Sequence, residues 1–160
     1  MIHRILFLAL LAAPLTAKAH DAVQHAPRAV ATVSAEAQPA VAAADAFSTA
    51  LRAGDLTRAG HWLADDVLIL ESGGAEYSKD EYLGGHAKHD AEFLKGAHVQ
   101  LKKRTARAMG DLAWVGSESE LHTQKDGKPL TMLSTETLVL KRVQQGWRIV
   151  HIHWSSRTKR

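Results

Sequence analysis

The segment Gly146-Trp-Arg-Ile-Val-His-Ile-His-Trp-Ser-Ser156 has the alternating pattern of a β-strand. With regular alternation, one face of this strand carries Trp147, Ile149, His151 and His153. The opposite face carries Arg148, Val150, Ile152 and Trp154. Two imidazoles on an apolar strand face place titratable groups where either a hydrophobic core or a binding pocket is expected. The segments around this strand decide between those two possibilities.

Residues 1–19 are typical of a secretory signal peptide. A short polar start at His3 and Arg4 precedes an apolar run over residues 5–15 that is too short to span a bilayer. Ala17-Lys18-Ala19 fits a small-x-small cleavage site. A short membrane anchor is the alternative. We therefore expect cleavage after Ala19 and a periplasmic or secreted protein, in a remaining chain long enough for one domain.

The charge balance and the absence of cysteine limit the possible functions. The chain has 20 basic and 17 acidic residues, and two of the basic ones, Arg4 and Lys18, lie in the predicted signal peptide. A nearly neutral mature chain predicts no nucleic-acid partner and no membrane association after cleavage. Because there is no cysteine, disulfides, thiolate catalysis and cysteine-type metal sites are excluded.

The first half of the chain reads as helices around one strand. Residues 20–38 are predicted to be a flexible linker, residues 39–156 the domain, and residues 157–160 a basic tail. A helix is predicted from Pro39, a second helix capped by Asp55 through about Leu63, and a strand over Val67–Glu71. The capping box at Ser78–Glu81 begins a further helix, on which one stripe carries Tyr82, His86, His89 and Phe93.

The second half reads as an antiparallel meander. Its four predicted strands are His98–Met109, Leu112–Gln124, Leu130–Arg142 and Trp147–Ser155. They are separated by turns at Gly110-Asp111, Asp126-Gly127 and Gln144-Gln145. This order predicts an α+β fold in which N-terminal helices pack on one face of a curved antiparallel sheet.

Tight turns fix the register of the meander, and the register predicts which side chains share a face. The three turns place Arg104 opposite Ser117, Ser117 opposite Glu136, and Glu136 opposite His153. A neighbouring row contains Ala106, Val115, Leu138 and His151. An odd-length turn or a β-bulge would shift one strand and break the rows. A charged row in an apolar wall indicates a ligand pocket, and a self-satisfied buried network is the alternative.

The opposite face of the predicted sheet is unusually apolar. Among its charged residues it carries Trp114, Leu133, Val150, Ile152 and Trp154. Such a face is too apolar for open solvent, so we predict a homodimer formed through the sheet.

Three segments resemble the nuclear transport factor 2-like superfamily: residues 50–56 (ALRAGDL), residues 63–69 (LADDVLI) and residues 146–153 (GWRIVHIH). Within it, the chain is similar to the SnoaL-like group and to the association domain of calmodulin-dependent kinase II, over Pro39 to Ser156. The resemblance implies a cone-shaped fold that encloses a pocket, usually in a dimer. It does not select a function, because the superfamily contains isomerases, cyclases, dehydratases, hydrolases and non-catalytic domains.

The resemblance to ketosteroid isomerase extends to single residues. Alignment on the shared segments places its general-base aspartate on Glu71, so Glu71 is the candidate catalytic base. The same alignment places its oxyanion-binding tyrosine on Phe47, which has no hydroxyl. Steroid isomerisation therefore lacks a main source of transition-state stabilisation. The association domain binds carboxylates through arginines, and Arg104 could serve that purpose here.

Three functions remain open at this point. The first is an exported domain that binds a small anionic or polar-aromatic ligand, without a cofactor. Its predicted ligand-binding residues are Tyr82, His86, Arg104, Ser117, Glu136, His151 and His153. The second is an isomerase, dehydratase or cyclase that uses Glu71 or a pocket histidine as base. The third is a metal site built from His86, His151 and His153 with Glu136, although these spacings do not establish one. A structural assembly domain that uses the apolar outer face is the alternative to all three.

Overall fold

The computed structural model describes residues 33–160. The predicted signal peptide and residues 20–32 of the predicted linker lie outside the described residues. A 3-10 turn, Ala35–Ala37, precedes the first helix, and Ala37 is fully buried in the hydrophobic core. Packed structure therefore begins slightly before Pro39. None of the described helices is long and apolar enough to cross a membrane.

Two helices begin at the side-chain caps that the sequence indicates. Helix α1 spans Gln38–Arg52, α2 Leu56–His61, α3 Lys79–Gly84 and α4 His86–Lys95. The side chain of Asp55 accepts a hydrogen bond from the Arg58 amide (2.9 Å), and Ser78 accepts one from the Glu81 amide (3.1 Å). The helix predicted after Ser78 is in fact two helices. Gly85, with φ −121° and ψ −95°, leaves the helical conformation and separates α3 from α4.

Six strands form one curved sheet. They are β1 Leu63–Glu71, β2 Gly74–Glu76, β3 His98–Met109, β4 Leu112–Lys125, β5 Lys128–Val143 and β6 Gly146–Thr158. Their order is β2-β1-β6-β5-β4-β3, and β1 runs parallel to β6 while the other neighbours are antiparallel. The predicted α+β fold and the meander are confirmed. The sheet face that packs against the helices is called the inner face below, and the opposite one the outer face.

The first two turns set the register that the sequence predicts. Met109 pairs with Leu112 and Lys125 pairs with Lys128. Asp126 and Gly127 both have positive φ, 52° and 73°, as a two-residue hairpin turn requires. Ser117 consequently lies opposite Arg104 on one side and opposite Glu136 on the other, so this part of the predicted row is confirmed.

The predicted positions of His151 and His153 are wrong, because β6 contains a bulge at Val150. Leu140 pairs with Ile149, but the next residue back along β5, Val139, pairs with His151. One extra residue in β6 reverses every side chain that follows it. Glu136 therefore lies opposite Trp154, while His153 lies opposite Thr137 and is exposed.

The bulge is explained by the buried layer of side chains on the inner face of the sheet. Without it, His151 would join Ala106, Val115 and Leu138, all three of which are fully buried. A desolvated imidazole is costly in an apolar layer. The bulge places the fully buried Ile152 there instead, and His151 Nδ1–H donates to the carbonyl oxygen of Leu68 at 2.9 Å.

The bulge also changes the predicted dimer surface. Ile152 and Trp154 face inward, so two of the five apolar residues assigned to the outer face do not belong there. Trp114, Leu133 and Val150 are partly exposed. The homodimer stays a prediction, and its test belongs at Leu133 or Val150, because a charge at Ile152 would disrupt the core instead.

Candidate functional site

A cavity of about 470 Å³ lies between the helices and the inner face of the sheet. Phe47 and Leu51 of α1 and Phe93 and Leu94 of α4 form its helical wall. Strands β3 to β6 form the opposite wall, and Glu71 closes it at the end of β1. Most of this lining is apolar or carries hydroxyl groups. Three of the charged side chains, Asp45, Arg52 and Asp90, belong to the helices, and the other three form one band across the sheet.

That band is a row of five directly paired residues on five strands. Its members, in order across the sheet, are Arg104, Ser117, Glu136, Trp154 and Glu71. All five line the cavity. Residues that are paired across neighbouring strands point to the same face of a sheet, so the row follows from the register alone.

One half of the row is a connected polar network. Arg104 Nε donates to Ser117 Oγ (3.2 Å), and Ser117 Oγ donates to Glu136 Oε1 (3.3 Å). Trp154 Nε1 donates to Glu136 Oε2 (2.9 Å). Arg104 also forms an ion pair with Asp45 of α1. The indole thus takes the place predicted for His153 and gives Glu136 a neutral donor.

At the Glu71 end of the row, three carboxyl groups surround one imidazole. His86 Nδ1 lies 2.5 Å from Glu71 Oε1 and donates to Glu76 Oε1 at 3.0 Å. Its Nε2 lies 3.8 Å from Asp90 Oδ1. The buried Tyr82 hydroxyl donates to Asp90 Oδ2 at 2.9 Å. Glu71 and Asp90 line the cavity, and His86 and Tyr82 support them from behind.

Burial and mutual repulsion shift the pKa values in this cluster toward the protonated forms. Burial, together with the charge of Asp90, raises the pKa of Glu71 above its usual value. Burial likewise raises the pKa of Asp90, although the Tyr82 hydrogen bond and the charge of His86 oppose this. Burial alone would lower the pKa of His86, but its hydrogen bond to Glu76 and the nearby carboxylates raise it. Burial and Asp90 raise the pKa of Tyr82, which keeps its hydroxyl as a donor.

These groups set the chemistry that the site allows. Glu71 Oε1 is buried and has no well-aligned hydrogen bond, despite its closeness to His86. A carboxylate in this condition is a stronger base than one in water. The second carboxyl group that lines the cavity, Asp90, also has a raised pKa, so its protonated form is a weaker acid than an aspartic acid in water.

The structure separates the predicted site residues into two groups. Arg104, Ser117, Glu136 and Glu71 line the cavity, while Tyr82 and His86 lie directly behind it. His151 and His153 are on the outer face and do not contribute. Asp90, Glu76 and Trp154 were not predicted. Asp90 follows His86 by four residues on α4, a spacing that places both on one helix face and could have indicated it.

The predicted metal set does not converge, because His151 and His153 are on the opposite side of the sheet from His86. Among residues 33–160, the donor atoms of Glu71, His86 and Asp90 lie within 4.8 Å of one another. In this cluster the imidazole is hydrogen-bonded to Glu76 and ion-paired to Glu71.

The chain is similar to known proteins along most of its length. The SnoaL-like domain family matches residues 41–158. A candidate ketosteroid isomerase from Shewanella frigidimarina is 32% identical, with 73% of this chain and 94% of that protein covered and a TM-score of 0.68. No curated protein is significantly similar.

More distant solved structures share the fold. A candidate dehydratase of the NTF2-like family from Streptomyces avermitilis is 18% identical, covering 75% of this chain and 95% of that one at a TM-score of 0.59. The CaMKII hub from S. rosetta is 19% identical, with 75% and 95% covered and a TM-score of 0.63. The family match and the 32% identity agree: the chain belongs to the SnoaL-like domain family and has its NTF2-like fold.

Proposed function

We propose that this protein binds a neutral small molecule in the cavity and transfers a proton on it, as isomerases and dehydratases do. Glu71 is the base and Asp90 the acid. The observation that carries the proposal is the juxtaposition of these two carboxyl groups, both with raised pKa, on the wall of a cavity lined mainly by apolar and hydroxyl-bearing side chains. The 32% identity to a candidate ketosteroid isomerase supports the same reaction class.

The charges around the cavity favour a neutral ligand over an anionic one. Its lining contains the carboxyl groups of Asp45, Glu71, Asp90 and Glu136 but only two guanidinium groups, those of Arg52 and Arg104. Arg104 is already paired with Asp45 and bonded to Ser117. An anion would have to displace Asp45 and approach Glu136, which repels it.

Glu71 and Asp90 together account for every proton that the proposed step moves. Ionised Glu71 takes a proton from a carbon of the ligand, and protonated Asp90 donates a hydrogen bond to the oxygen on which negative charge develops. For an isomerisation, Glu71 returns the proton to another carbon. For a dehydration, Asp90 gives its proton to the departing hydroxyl group, water leaves, and Glu71 passes its proton back to Asp90. Asp90 thereby supplies a donor that Phe47, with no hydroxyl, does not.

The test is proton abstraction from nitrobenzisoxazole, a neutral aromatic compound. A carboxylate that removes its ring proton breaks the N–O bond and releases a coloured phenolate, without needing an oxyanion site. We expect Glu71→Gln to lower this rate by about tenfold or more. The wild-type rate should rise with pH as Glu71 ionises, with a midpoint above about 4.3, the ordinary glutamate pKa.

Glu118→Gln is the matched control. Glu118 is exposed, lies opposite Lys103 on the outer face, and should leave the rate unchanged. Equal rates in wild type and Glu71→Gln, with both proteins folded by thermal unfolding, would remove Glu71 as the base. A wild-type protein that takes up the compound without converting it would be a binding protein instead.

We propose export of the chain from the sequence of residues 1–19 alone. N-terminal sequencing of protein recovered from a bacterial periplasm should begin at His20. A mature protein that begins at Met1 would contradict export by this route.

A further inference from the structure

We propose that the cavity is built for an amphipathic molecule with a polar head and a slender apolar tail. The position of the head rests on the proposed function, since it places the reacting group at Glu71 and Asp90. The position of the tail rests on separate observations. These are the side chains that follow along the strands from the charged row toward the opening of the cavity.

The inner face of the sheet is layered along the strand direction. Beyond the charged row, the next inward row is Leu101, Ser119, Ser134 and Ser156. In β3 a bulge at Lys102 keeps both Leu101 and Arg104 inward although they are three residues apart. Because of the bulges in β3 and β6, the inward-facing residues of β3, β4, β5 and β6 line up in the same rows.

The second row is a band of hydroxyl groups. Ser119 pairs with Ser134, and Ser134 pairs with Ser156. All three line the cavity. No hydrogen bond joins their side chains to other groups within residues 33–160, so they can bond to a ligand hydroxyl or ether oxygen.

The third row is apolar. Val99, Leu121 and Met132 are directly paired across β3, β4 and β5, and all three line the cavity. The cavity is open to solvent where Phe93 and Leu101 line it, since these residues are 41% and 49% exposed. On the other side of the charged row, Ala106, Val115, Leu138 and Ile152 are fully buried and close the cavity. A ligand whose polar end lies at the charged row therefore extends its apolar part along the strands toward the third row.

Strand geometry gives the length of this ligand. Successive inward rows are two residues apart, or about 7 Å, so the charged row and the apolar row are separated by about 13 Å. A ring-sized head fills about half of that length. The remaining half accommodates a tail of about five methylene groups.

The experiment measures binding of para-alkylphenols with chains from methyl to octyl, by calorimetry on the full folded domain. The phenol supplies a neutral polar head. Each methylene group within the cavity should tighten the Kd by about fourfold. The gain should stop after about five methylene groups, where the tail reaches solvent.

Two substitutions localise the tail. Met132→Trp fills the apolar row and should end the gain about two methylene groups earlier. Leu133→Trp adds the same bulk at the neighbouring residue, which points to the outer face, and should follow the wild-type series. The hydroxyl band is tested with a phenol that carries a mid-chain hydroxyl group. Ser119→Ala with Ser134→Ala should weaken its binding by about tenfold and leave the plain alkyl series unchanged.

The outcomes separate this inference from the proposed function. Affinity that does not depend on chain length, no uptake of any alkylphenol, or identical effects of Met132→Trp and Leu133→Trp would overturn the amphipathic ligand. None of these results bears on the loss of nitrobenzisoxazole conversion in Glu71→Gln. Unchanged conversion in that variant would overturn the proton transfer and leave the binding series standing.

Discussion

Replacing Ile152 with alanine should lower the free energy of unfolding by about 2–5 kcal/mol. Ile152 is fully buried between β1 and β5 and completes the layer with Val115 and Leu138. Truncating this side chain leaves a cavity, because the neighbouring side chains in a close-packed core relax only partly into the space. Urea unfolding of the two proteins measures the difference.

His153→Ala is the matched control on the adjacent residue. His153 is exposed on the outer face, so its loss should change stability by no more than about 0.5 kcal/mol. With regular alternation and no bulge, the two substitutions would have the opposite ranking. A large loss for His153→Ala and a small one for Ile152→Ala would therefore contradict the bulge at Val150.

The sequence contains enough information to predict most of the sheet. Turn residues such as Asp126-Gly127 can adopt positive φ, which fixes hairpin register for many residues on either side. The pairing of Ser117 with Arg104 and with Glu136 therefore follows from the turn spacing alone. The parallel contact between β1 and β6 has no comparable local signal, because its strands are distant in the sequence.

The bulge escapes prediction for a related reason. It resolves a conflict between residues that meet only in the folded state: an imidazole would otherwise enter a layer of Val115 and Leu138. The sequence does contain one indication of the bulge. Ile152 and Trp154 on an outer face are unusual, and a register shift that buries them explains that apolar character as well as a dimer interface does.

In the candidate site, too, some features have a local sequence signal and others arise only in the folded structure. Glu71 is found by resemblance, and the stripe of Tyr82 and His86 by helical spacing. What spacing does not reveal is that His86 reaches Glu71 and Glu76 across elements, or that Asp90 lines the cavity. The raised pKa values arise from that convergence and from burial, so they belong to the tertiary structure.

Replacing Trp154 with alanine should cost about 3–5 kcal/mol of stability. Its indole ring lies beside Phe47 and Tyr82, with ring centroids 6.5 Å and 6.1 Å away. Its Nε1–H also provides a hydrogen bond to Glu136 Oε2. Trp154→Phe separates the two contributions, because it keeps an aromatic ring and removes the donor. We expect this milder change to cost about 1–3 kcal/mol.

A double-mutant cycle isolates the hydrogen bond. With Glu136→Leu there is no carboxylate left to satisfy, so Trp154→Phe should cost clearly less than it does beside Glu136. Trp114→Phe makes the same chemical change on the outer face and should cost about 0.5 kcal/mol. Equal losses for Trp154→Phe in both backgrounds would mean that the indole does not stabilise Glu136. A large coupling would show that the hydrogen bond from Trp154 stabilises Glu136 within the polar row.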